Sequence, residues 1–143
     1  MQMSFAAAFA PVFVQVALTF VLLFRAGIVR VGMVRRGEVR PGDIALREPN
    51  WPARATQLTN AYQNQLELPV LFYLVVVAAV FSGHMTPLLV VLAWLFVSAR
   101  LLHALVHVTT NDLRRRFFLF LAGALILVLM WLVFLLEVLV SRP

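Results

Sequence analysis

Between Trp94 and Arg116 the chain reads WLFVSARLLHALVHVTTNDLRRR, with Arg100, His103 and His107 set inside an otherwise apolar run. These side chains are equipped for chemistry: one permanent cation, and two imidazoles that can donate, accept or ligate. At about 100° per residue, His103, His107 and Asn111 return to nearly the direction of Arg100. A helix would carry all four as one polar stripe. Two histidines one turn apart can hold a metal from one helix face, and Glu67 would have to supply a third ligand. The motif lacks the glutamate of H-E-x-x-H, however, and Arg100 on the same face disfavours a cation, so no metal is expected. Hydrogen bonding between helices, or contact with an anionic ligand, uses these residues better.

Two further polar sets accompany the stripe. Gln57, Asn60, Asn64 and Glu67 recur at spacings of three and four, which places them on one helix face. Arg114, Arg115 and Arg116 stand at the head of the last apolar run. Glu67 and Arg100 are natural charge partners, because each offsets part of the other's desolvation cost. Such a pair serves equally to lock two helices together or to furnish a site.

The elements that must position these residues are membrane helices. Hydrophobic residues make up 63% of the 143-residue chain and charged residues 13%, an apolar share beyond that of soluble domains. The apolar residues fall into long runs, each near the roughly 20 residues that cross a bilayer. Spans are expected at about 5–29, 66–81, 88–108 and 117–140, in one all-α domain: a polytopic bundle of four transmembrane helices. The first run contains AAAFA, which resembles a signal-peptide cleavage site. It lacks a basic leader and continues well past that point, so a retained span is expected. Ahead of the second span, a helix beginning near Pro52 or Ala53 carries the polar Gln57–Glu67 face, and Pro69 should kink it.

Loops at about 30–52 and 109–116 hold most of the arginines, whereas the SGHMTP connection and the amino terminus hold none. The positive-inside rule then makes both basic loops cytoplasmic and puts both termini on the other side. A bacterial inner membrane is the expected location. All twelve basic residues are arginine and the net charge is +6. Topology and anionic lipid headgroups account for that charge, and without an aromatic-interleaved basic surface no nucleic-acid partner is expected. There is no cysteine, so any thiol chemistry must bring its thiol with a substrate.

These pieces resemble the MAPEG family, the membrane-associated proteins in eicosanoid and glutathione metabolism, in a bacterial-type member. The resemblance rests on Asn64-x-x-Glu67 followed by Pro69, on Arg100-x-x-His103, and on Arg116 at the head of the fourth span, and it covers most of the chain. It implies a four-helix bundle assembled as a homotrimer, with glutathione as co-substrate bound between neighbouring subunits near the cytoplasmic face. Arg30, Asn60, Asn64, Glu67, Arg100, His103 and His107 would then lie in or beside the glutathione site. Arg116 resembles the arginine that activates the glutathione thiol. Several relatives place arginines where this chain has Asn60 and Gln63, and a tyrosine where it has His107. The implied activity is a transferase or peroxidase acting on lipophilic electrophiles that arrive from the bilayer. The alternative is a non-catalytic membrane protein that holds an anionic lipid or other amphiphile in the equivalent cavity.

Overall fold

The computed structural model describes residues 5–45 and 50–140. Arg47 and Glu48, two of the charges of the first basic loop, and Pro49 of the turn preceding Trp51 lie outside them. The described residues form α1 (Phe5–Arg35), α2 (Ala53–Gln63), α3 (Leu68–Phe81), α4 (Pro87–Val108) and α5 (Leu113–Val140), with no strand among them. α2 and α3 run on as one rod, so four helical rods are long and apolar enough to cross a membrane. The chain is an integral, multi-pass membrane protein.

The outward surface agrees with a lipid solvent. Phe13, Phe20 and Phe24 on α1 and Leu125, Leu132 and Leu136 on α5 are all exposed, on faces that would aggregate in water. Inside, one core joins α3, α4 and α5. Phe72 stacks on Phe96 with ring centroids 4.6 Å apart, and Val75, Val76, Leu127 and Met130 are buried around them. A second core joins α1, α2 and α4 through Leu22, Leu58 and Val108 with three alanines, Ala26, Ala61 and Ala104. Small side chains there let helix backbones approach closely, which is how membrane helices gain packing energy.

Helix ends follow local chemistry. Gly37 and Gly83 adopt φ of +72° and +77°, a conformation cheap only for glycine. At Gly83 the following His84 N–H donates to Ala79 O at 2.9 Å, which closes α3 with a Schellman cap. Thr86 Oγ1 accepts from Leu89 N at 3.4 Å and Pro87 occupies the first turn of α4, a favourable start on both counts.

Three details sharpen the sequence reading. α1 continues to Arg35, about 45 Å of helix at 1.5 Å per residue, so its end projects beyond a 30 Å hydrocarbon layer. α5 begins at Leu113, because Asp112 Oδ1 accepts from Arg115 N at 2.8 Å and caps it. The three arginines thus sit in the first turn of a helix and not in a loop. The break in the second rod precedes Pro69: residues Asn64–Leu66 make a single 3-10 turn and Glu67 leaves helical space at φ −96°, ψ −102°. Pro69 has no N–H for Gln65 O and its ring crowds that carbonyl, so the turn before it unwinds.

Candidate functional site

The site's first feature is the Asn64 carbonyl, in the 3-10 turn that follows α2. Arg100 Nη2 donates to Asn64 O at 2.6 Å. A cation at a helix C-terminal carbonyl meets both the lone pair and the negative end of the helix dipole. Arg100 is fully buried at 0% exposure, yet its Nε and Nη1 have no hydrogen-bond partner among the described residues. The expected ion pair with Glu67 is not made: the salt bridge between described residues is Arg36–Glu38. Glu67 is exposed and acts on Arg100 only at longer electrostatic range. The irregular backbone at Glu67 turns it outward, and the Asn64 carbonyl takes its place.

His103 and His107 are 2% and 1% exposed, and each has an Nδ1 without a partner among the described residues. Their rings meet edge to face with centroids 5.7 Å apart, and Phe120 of α5 lies 6.2 Å from His103. The cations of Arg100 and Arg116 both lie within electrostatic range of the two imidazoles. Gly123 brings α5 against the cluster, since a Cβ there would meet Arg100 Cδ at 3.8 Å. The stripe ends at His107. α4 stops at Val108 and Asn111 turns into the left-handed region at φ 53°, a conformation asparagine tolerates. From there Asn111 Oδ1 accepts from Arg116 Nη1 at 2.7 Å. Arg116 is half-buried in the first turn of α5, which packs along α4.

α2 locks the basic end of α4. Arg54 Nη1 donates to Val108 O and Gln57 Nε2 to His107 O, each at 2.7 Å. These carbonyls have no intrahelical partner, so the polar face of α2 serves partly as a C-cap. Asn60 and Glu67 on that face remain exposed, and Asn64 is half-buried, its Nδ2 donating to Asn60 O at 2.9 Å.

Arg30 and Asn60 line a different space. A cavity of about 650 Å³ lies between α1, α2 and the loop that joins them, bounded by Leu23, Arg30, Trp51, Thr59, Asn60 and Gln63 among others. Its lining does not include Asn64, Glu67, Arg100, His103, His107 or Arg116. The candidate residues therefore form two groups within one chain: a buried Arg100–His103–His107 cluster with Arg116 nearby at the start of α5, and an Arg30–Asn60 cavity on the α1–α2 side. Among the described residues no three histidine or acidic side chains converge as metal ligands would.

Sequence reasoning missed the buried amide pair of Gln15 and Gln65, joined at 3.0 Å. Gln15 was visible as a lone amide in an apolar run, but its partner 50 residues away was not. It also missed Trp51, over whose ring the Arg30 guanidinium carbon sits at 4.1 Å.

No curated protein and no solved structure matched the chain when it was compared with each set. A family model, that of the MAPEG family, matches residues 8–136. With four membrane-length rods and that match over nearly its whole length, the chain belongs to the MAPEG family.

Proposed function

We propose that the protein is a glutathione-dependent transferase or peroxidase that acts on lipophilic electrophiles dissolved in the bilayer. The observation that carries this reading is the fully buried Arg100 with His103 and His107, whose free donor and acceptor valences cluster within a membrane bundle of this family. Burying a guanidinium with two unpaired nitrogens is costly, and a ligand that reached it as the helices part would offset that cost. Glutathione brings carboxylates to match arginine, and the roughly 650 Å³ cavity at Arg30 falls within the usual range of small-molecule sites.

The two groups of residues support a site shared between copies of the chain. Arg30 and Asn60 open on the α1–α2 side, whereas Arg116 stands at the α4–α5 end. A tripeptide held by both sets would bridge neighbouring subunits of a homotrimer. The basic ends of the helices would face the cytoplasm, with both termini opposite, in a bacterial inner membrane.

Arg116 is the residue assigned to thiol activation. A free thiol with a pKa of about 8.5 is mostly protonated at neutral pH, and an adjacent cation favours the thiolate. Arginine keeps its own proton, so the thiol proton leaves to water. In transfer, the sulfur pair forms a C–S bond and the displaced group departs with the pair from the broken bond. In peroxide reduction, two glutathiones and one hydroperoxide give disulfide, alcohol and water.

The test is product formation from glutathione and a lipophilic aryl halide or lipid hydroperoxide in detergent. Co-expressed Arg30→Ala and Arg116→Ala chains should recover part of the activity that each loses alone. Absence of turnover in the wild type would end the enzyme reading. The second reading, binding of an anionic lipid without catalysis, draws on the groove that runs along Leu23, Gly27 and Val31 to Arg35. Native mass spectrometry that retained phospholipid but never glutathione would favour it.

A further inference from the structure

We propose that Trp51 is a positioning residue that holds the Arg30 guanidinium as a flat fork for the anionic end of an interfacial ligand. The proposal rests on the reading of the α1–α2 cavity as part of the ligand site, and it concerns what makes that cavity selective for anions. Among the described residues, Arg30 is the single charged group in the cavity lining. Its guanidinium carbon lies 4.1 Å from the centre of the Trp51 ring, inside the range of a cation–π contact. A guanidinium held against an aromatic face keeps its N–H donors free around its edge, and two parallel donors match a carboxylate or phosphate. A free arginine side chain would have to give up rotamer freedom to do the same.

The loop fixes Trp51 in turn. Asn50 Nδ2 donates to Asp43 O at 2.6 Å and so ties down the residue before it. Trp51 O accepts from Thr56 Oγ1 at 3.3 Å, in the first turn of α2. The indole packs on a small core of Met33, Val39 and Ala55. Among the described loop residues, Ile44 and Ala45 also line the cavity. The long loop between the first two rods thereby delivers one aromatic face to one arginine.

Carboxylate and phosphate present the same pair of oxygens to such a fork, so glutathione and an anionic phospholipid are both tested. The wild type, Trp51→Leu, Trp51→Phe, Arg30→Gln and the double variant Trp51→Leu/Arg30→Gln are titrated with glutathione in detergent by calorimetry. The same proteins are released from nanodiscs of phosphatidylglycerol or phosphatidylcholine in native mass spectrometry. Leucine fills the apolar core without an aromatic face, and phenylalanine restores the face. Trp51→Leu should weaken anion binding about fivefold while Trp51→Phe stays within about twofold of wild type. Arg30→Gln should cost about tenfold, and adding Trp51→Leu to it should cost nothing more. Binding in the glutathione arm identifies a soluble carboxylate. Selective retention of phosphatidylglycerol alone identifies a headgroup phosphate, and the Trp51 proposal then stands while the glutathione reading falls. Wild-type binding in neither arm, equal losses for the leucine and phenylalanine variants, or losses that add in the double variant overturn it.

Discussion

Gly123 offers a sharp test of the buried cluster, because two substitutions there should move stability in opposite directions. A Cβ at this position would lie 3.8 Å from Arg100 Cδ and 4.0 Å from both Ala99 Cβ and Phe96 Cε2, distances of ordinary van der Waals contact. Gly123→Ala therefore fits without displacing Arg100. It should gain about 1 kcal/mol from reduced backbone entropy in the unfolded chain, and a few tenths more from new contacts. Gly123→Leu must place further carbons where the Arg100 stem runs. Overpacking costs about 1–3 kcal/mol, and loss of the charged hydrogen bond to Asn64 O costs about 1.5–3 kcal/mol more. Thermal unfolding in detergent should show a midpoint about 3 °C higher for alanine and about 10 °C lower for leucine. Glutathione affinity should stay unchanged for alanine and fall for leucine. A destabilised alanine variant would show that α5 passes Arg100 more closely than these distances give, and a leucine variant as stable as wild type that it passes less closely.

Other perturbations follow from the same geometry. Gln15→Leu strands Gln65 Oε1 in a buried setting and should cost about 1 kcal/mol, whereas Gln15→Leu/Gln65→Leu should recover most of it in denaturation curves. Removing the α4 cap with Arg54→Ala/Gln57→Ala should raise amide exchange in the last turn of α4, with little change near Phe96. In the exposed loop, the hydrogen bond from Arg36 holds the Glu38 carboxyl below its ordinary range. The pair's contribution is present above the ordinary glutamate pKa and is lost as pH falls through the lowered folded value. Carbon-detected NMR should find Glu38 titrating low, and Arg36→Gln should return it to the ordinary range.

Much of the architecture was legible because membrane spans announce themselves through long apolar runs. The four rods follow from the length of those runs, and the polar stripe through Arg100, His103 and His107 from helical periodicity; the Gln57–Glu67 face is helical only as far as Gln63. What the sequence concealed was pairing across distance. Charge suggested Glu67 for Arg100, but the Asn64 carbonyl in the 3-10 turn before Pro69 takes the guanidinium instead. Likewise the stripe was drawn through Asn111, although α4 ends earlier and Asn111 turns to meet Arg116. Trp51 gave no periodic signal at all. Its ring meets Arg30 of α1 across the chain, a contact that spacing alone cannot encode. The separation of Arg30 and Asn60 from the Arg100 cluster was also hidden, since a helical wheel does not say which neighbour each edge of α2 faces.

If the bundle binds glutathione and Arg116 ionises its thiol, as proposed, the thiolate itself should be visible. Its ultraviolet absorbance is recorded on adding glutathione to the detergent-solubilised protein across a pH series. The expected result is a thiolate signal near neutral pH that moves to the pH of free glutathione in Arg116→Ala. No signal from the wild type, or an identical one from Arg116→Ala, would contradict it.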